Sequence, residues 1–156
     1  MTGSQTSAAG VSAQGRRIAV VASRFNDHIV SRLVKGATAA WVARGGAEPD
    51  LPIFQVPGAF ELPLAARRLA LSGRYDAVVA LGCVIRGDTP HFEYVAGECA
   101  RGLQQTSLET GVPVAFGVLT VESLEQALQR AADGPGNKGG EAMDTALEMA
   151  SFLARL

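Results

Sequence analysis

Cysteine is scarce in this chain, with two in 156 residues, Cys83 and Cys99. Both fall within apolar patterns, one on a strand and one on a helix face, so buried free thiols are expected rather than a disulfide framework. Their spacing matches no zinc pattern, and no metal site is expected. An excess of either charge is also missing: 14 basic residues stand against 15 acidic ones, a net charge of -1. Without a basic stripe or a like-charge run, binding to nucleic acid or to a membrane surface has no electrostatic support. No apolar run reaches spanning length and no charged-then-apolar leader opens the chain, so a soluble, cytoplasmic protein is expected. No G-x-G-x-x-G follows the first strand pattern and no strand-coupled GK[ST] element occurs, which leaves a dinucleotide site and a P-loop unsupported.

What is present is alternation. Residues 17–23 (RIAVVAS) are a short β-branched run and the first expected strand. Asn26 or Asp27 can then cap a helix. Ile29, Val30, Leu33, Val34, Ala37, Ala40 and Trp41 recur at helical spacing until residues 44–46 (RGG) end the pattern. Residues 49–56 give a second strand candidate, LPIFQV (51–56), and the prolines at 49 and 52 suggest an edge. After a turn at 57–61 (PGAFE), Leu62, Ala65, Ala66 and Leu69 stripe the next helix. Residues 77–85 (AVVALGCVI) are almost continuously apolar, as a central parallel strand buried on both faces must be. Residues 87–90 (GDTP) follow. Asp or Thr can accept from the free amides of a first helical turn and Pro suits its first position, so a helix is expected near Pro90, with Phe92, Val95, Ala96, Cys99 and Leu103 on one face. Residues 112–119 (VPVAFGVL) are a fourth strand, and Ser123 with Gln126 suggests a capping box for a short helix through Arg130. Residues 134–140 (GPGNKGG) read as a flexible loop, and a last helix turns Met143, Ala146, Leu147, Ala150 and Leu153 inward. Residues 1–15, small and polar, read as a flexible N-terminal tail, leaving 16–156 as one domain. Strands joined by helical crossovers give an α/β three-layer sandwich of about four parallel strands with helices on both faces, most simply in flavodoxin-like order.

In such a sheet every strand delivers its C-terminal end to one rim, where open α/β sheets bind ligands. The turns gathered there carry Phe25 and Asn26; Ala59, Phe60 and Glu61; Asp88, Thr89 and His91; and, after the fourth strand, residues 116–120 (FGVLT). Aromatic faces, a carboxylate, an anion-binding turn at a helix start and an imidazole would suit a planar heteroaromatic ligand beside a phosphorylated partner. Each has a plainer reading. Phe25 suits a hydrophobic staple, Glu61 complements a helix dipole, Thr89 with Pro90 is a cap, and His91 is a surface residue of a first turn. Arg130 and Lys138, flanking the glycine-rich loop, suit solvated charges. His28, without convergent partners, reads as surface. Asp88 after a core strand suits a phosphoacceptor, but the acidic cluster that would hold a metal beside it is missing from the first strand end.

The segments ASRFN (22–26), VPGAFELP (56–63), GCVIRGDTPHFEYV (82–95), PVAFGVLT (113–120) and QALQRAADGPGNKGGEAMDTALEM (126–149) resemble, in order, those of the lumazine synthases of riboflavin biosynthesis. The resemblance spans nearly everything after the tail, and its central segment is highly specific. It implies condensation of 5-amino-6-(D-ribitylamino)uracil with 3,4-dihydroxy-2-butanone 4-phosphate to give 6,7-dimethyl-8-ribityllumazine, phosphate and water, with no cofactor. It assigns Phe25 to stacking on the uracil, with Asn26 beside it. Ala59, Phe60 and Glu61 would hold the ribityl chain, and the backbone of Cys83, Val84 and Ile85 the uracil edge. Asp88, Thr89 and Arg130 would meet the phosphate, and His91 would move protons. Phe116 and Lys138 would complete the pocket, partly from a neighbouring subunit. Family members are pentamers or icosahedral shells of sixty subunits, and the compact 130–138 segment favours a shell. Family N-termini also add a strand to a neighbour's sheet edge. A non-synthesising shell relative and a flavodoxin-like carrier or signalling receiver are the competing readings.

Overall fold

The structure, a computed structural model, describes residues 11–156. Most of the expected tail, residues 1–10, therefore lies outside the described residues. Of its remainder, Ala13 is 2% exposed and its amide donates to Arg44 O at 2.9 Å, so packing begins before residue 16.

The strands are β1 (Ile18–Ser23), β2 (Ile53–Val56), β3 (Ala77–Ile85) and β4 (Val114–Val121). The α-helices are α1 (Asp27–Ala43), α2 (Leu62–Leu71), α3 (His91–Thr110), α4 (Leu124–Arg130) and α5 (Lys138–Ala154). The four strands are all parallel, in the order β2-β1-β3-β4. This is the flavodoxin-like arrangement, and β1 and β3 lie inside it because their side chains are apolar on both faces. On one face Val21, Val78, Ala80 and Val84 pack against Leu62 and Ala66 of α2 and Cys99 and Leu103 of α3. On the other, Val20, Val79, Leu81 and Cys83 meet Leu33 of α1 and Met143 and Leu147 of α5. Burying each such Val or Leu is worth about 1.5–3 kcal/mol, so two well-filled layers hold the rim in place.

β2 is an edge strand, as the prolines leading into it suggested, and it begins only at Ile53, after Pro52. β4 begins at Val114 rather than at residue 112: Pro113 has no amide to give the ladder, although its carbonyl accepts from Val78 N at 2.9 Å. Ser123 Oγ accepts from Gln126 N at 3.2 Å, while Gln126 Oε1 accepts from Glu122 N at 2.7 Å, so the capping box forms with its return bond one residue early.

Two expectations fail. Leu153 is 38% exposed, because the inward stripe of α5 ends at Ala150. The loop expected through residue 140 ends at Asn137, a buried side chain whose oxygen caps α5 by accepting from Gly139 N and Gly140 N. Gly139 and Gly140 serve close packing rather than looseness. A Cβ on Gly139 would fall 2.0 Å from Leu33 O, so only glycine lets α5 lie against α1.

Candidate active site

At the C-terminal ends of β1, β2 and β3 the structure opens a groove of about 760 Å³. Three turns build it. The first leaves β1, where Arg24 N and Phe25 N donate to Val56 O and Pro57 O, zipping the β1 exit to the β2 exit. Asn26 follows with φ 62°, the left-handed conformation that Asn tolerates better than most residues. It occupies the N-cap position of α1, but its side chain does not cap. Its Nδ2 donates instead across the sheet to Cys83 O at 2.9 Å. That bond aims the turn and leaves the Phe25 ring 71% exposed over the groove.

The second turn is a single 3-10 turn, Ala59–Glu61, leading directly into α2. Ala59 is buried beneath it, while Phe60 and Glu61 face the groove. Glu61 precedes the first residue of α2 and makes no side-chain capping bond. The third is the turn from β3 to α3. Pro90 stands at the N-cap, and no side chain caps the helix there; Thr89 Oγ1 accepts from His91 N at a long 3.4 Å. Thr89 and His91 both line the groove, as do Cys83, Val84 and Ile85 at the end of β3. Asp88 is exposed in the same turn but is not part of the lining. The walls are mostly apolar with few polar groups, the usual character of a small-molecule site, and the volume is in the usual range.

The family resemblance assigns Phe116, Arg130 and Lys138 to this same pocket, Phe116 and Lys138 partly from a neighbouring subunit. Within one chain the structure does not bring them there. Phe116 is not at the rim: it pairs with Ala80 midway along β3, and its ring is 48% exposed on the free edge of β4. Phe116, Arg130 and Lys138 line a second groove of about 420 Å³, shared with Glu141 and Thr145. Arg130 donates one guanidinium nitrogen to Gln126 O at 3.2 Å, and Lys138 Nζ lies 3.0 Å from Glu141 Oε1. Parallel strands do share a rim, but β4 is an edge strand whose outer side belongs to another surface.

Tyr94 was missed. It is 68% exposed and lines the first groove, three residues beyond His91 and so on the same helix face, a spacing that could have found it. Arg86 was missed too. It donates to Glu93 and to both oxygens of Glu122 at 2.9 and 3.1 Å, and its guanidinium lies 4.3 Å from the centre of the Phe92 ring.

Both thiols are buried, and burial pushes each up to about 11. Thiolate at pH 8 is then about a thousandth of the total. A thiol reagent at pH 8 should therefore find almost none of the two cysteines in the folded protein and both after unfolding. Prompt labelling of either in the native state would contradict the burial. Among the described residues no His, Cys, Asp and Glu side chains group to hold a metal, and no helix is long and apolar enough to cross a membrane.

The sequence model for 6,7-dimethyl-8-ribityllumazine synthase matches residues 15–154. The 6,7-dimethyl-8-ribityllumazine synthase of Chlorobium phaeovibrioides is 56% identical over 140 residues, covering 90% of each chain. That of Chlorobium chlorochromatii is 53% identical over 146 residues, 94% of each.

Proposed function

We propose, from the premise that this chain belongs to the 6,7-dimethyl-8-ribityllumazine synthase family, that the rim groove is where it assembles its product. The protein is an enzyme of riboflavin biosynthesis. It condenses 5-amino-6-(D-ribitylamino)uracil with 3,4-dihydroxy-2-butanone 4-phosphate and releases 6,7-dimethyl-8-ribityllumazine, phosphate and water. One observation supports the location above the others: Phe25, Glu61, Thr89 and His91, from three separate turns, line a single groove.

In this reading the uracil stacks on Phe25, next to Asn26, with its edge on the backbone of Cys83, Val84 and Ile85. The ribityl chain runs along Ala59 and Phe60 and gives a hydroxyl hydrogen bond to Glu61. The phosphate meets the turn of Asp88 and Thr89 at the start of α3, where amide donors and the helix dipole favour an anion. An amine of the pyrimidine attacks the ketone to give an imine with loss of one water, phosphate leaves by elimination, and the second amine closes the ring with loss of a second water. Each step moves protons. His91 is the group in the groove suited to carry them, because imidazole exchanges protons readily near neutral pH. Holding two reactants together supplies much of the acceleration.

The groove lacks a cation, and the groove that has two, Arg130 and Lys138, is elsewhere on the chain. In our reading a second copy brings its Phe116, Arg130 and Lys138 against the first copy's His91 groove, as a head-to-tail ring allows. The exposed rings of Phe25, Phe60 and Tyr94 on one groove and Phe116 on the other favour such a closure. A pentamer or an icosahedral shell of twelve pentamers, acting in the cytoplasm, completes the reading. A size measurement on the purified protein separates the two assemblies.

His91→Ala is expected to lower turnover by about 10–100-fold without abolishing it, because positioning survives the loss of the proton carrier. Lumazine formation followed by absorbance, on protein with unchanged circular dichroism, measures this. Complete inactivity, or no effect, would remove His91 from the role.

A further inference from the structure

Arg86 is the first residue beyond β3, and its amide extends the ladder by donating to Val121 O at 2.9 Å. Its side chain reaches three places. It donates to Glu93 in the first turn of α3, donates to Glu122 just beyond β4, and lies over the ring of Phe92. The two exposed residues Thr89 and His91 fall inside this clamp: Arg86 grips one end of the turn, and Phe92 with Glu93 the other. The turn itself has little else to hold it, since it contains Gly87 and no side chain caps α3 at Pro90.

We propose that Arg86 is a positioning residue for the condensation: it fixes the first turn of α3 so that His91 faces the groove in register with the end of β3. The inference rests on the role given to His91 above. The arrangement suits geometry better than stability. The side chains of Arg86, Glu93 and Glu122 are 38, 55 and 62% exposed, and ion pairs that exposed add little to folding. The planar fork, however, is directional. One guanidinium can hold two carboxylates and stack on a ring together, which an ammonium cannot do. Hydrogen bonding to Arg86 also holds the Glu93 carboxyl below its usual range, so the pair stays charged through neutrality.

The test is a double-mutant cycle on the assembled enzyme with both substrates. Arg86→Met is expected to lower kcat about tenfold, from misplacement of a reacting group, with KM for either substrate changed less than about threefold. Arg86→Lys should recover little of that loss, and the melting temperature of either variant should fall by no more than about 3 °C. If Arg86 acts through His91, adding Arg86→Met to His91→Ala should slow the enzyme by less than about twofold further. A full tenfold further loss overturns the inference, as does recovery of kcat in Arg86→Lys. If His91→Ala alone leaves kcat unchanged, the role of His91 fails first, and the cycle separates that outcome from failure of the clamp. Should Arg86→Met not fold, Glu93→Gln removes one arm. It is expected to lower kcat about threefold, again without adding to His91→Ala, and additivity would overturn the clamp equally.

Discussion

Asn137→Ala is expected to cost the folded protein about 3 kcal/mol, from a lost helix cap and buried carbonyls left unpaired. The side chain is 4% exposed. Its Nδ2 donates to Ala131 O at 3.0 Å and lies 3.2 Å from Arg32 O and from Ala132 O. Its Oδ1 accepts from Gly139 N at 2.8 Å and Gly140 N at 3.1 Å. One amide thus ties the middle of α1, the end of α4 and the start of α5. Gly36 leaves room for it, since a Cβ there would fall 2.0 Å from Oδ1. Asn137→Asp separates the roles. It keeps the cap acceptors but loses the donor and sets a carboxylate against carbonyl oxygens. At an ordinary helix start aspartate caps as well as asparagine; here it should be at least as damaging as alanine. Denaturant midpoints at fixed chain concentration measure both. A loss below about 1 kcal/mol for alanine, or a milder aspartate, would mean that only the cap matters. The consequence reaches the site, because Arg130 and Lys138 flank the segment that this side chain holds.

Arg130→Met is expected to slow turnover by about 10²–10³-fold, the usual effect of removing one donor aimed at developing charge. Arg130 spends one nitrogen on Gln126 O, and its groove is otherwise open for an anion. The loss should fall on kcat and on KM for the phosphorylated substrate, not on KM for the pyrimidine. Arg130→Lys should recover only part of it, because an ammonium lacks the fork that matches phosphate. A loss under about threefold, measured by the same absorbance assay, would take Arg130 out of the reaction.

How much of this was legible depended on whether the signal was local. β3 could be read because burial on both faces demands an unbroken apolar run, and the edge position of β2 because prolines crowd the segment that leads into it. The three turns of the rim groove could be read because each immediately follows a strand. The loop at 134–140 could not. Glycine and asparagine signal freedom locally, and only the approach of α1, a hundred residues away in sequence, turns Asn137 into a buried strut and Gly139 into a contact. Asn26 failed as a cap for the same reason: its partner, Cys83 O, belongs to another strand. Phe116 was placed at the rim because strand register is invisible in a sequence; the pairing with Ala80 sets it midway along β4, which is an outer strand. The Arg86 clamp joins residues from three elements, and no spacing pattern records that.

The central claim is that the imidazole and the phosphate-binding cation serve one reaction from two copies of the chain. Mixing the two impaired variants tests it. His91→Ala and Arg130→Met chains, co-expressed in equal amounts and assembled together, should regain about a quarter of wild-type activity, because in a random head-to-tail ring about one contact in four pairs an intact His91 groove with an intact Arg130 groove. Activity no higher than the mean of the two separate variants would mean that both residues act from the same chain, and would contradict the account.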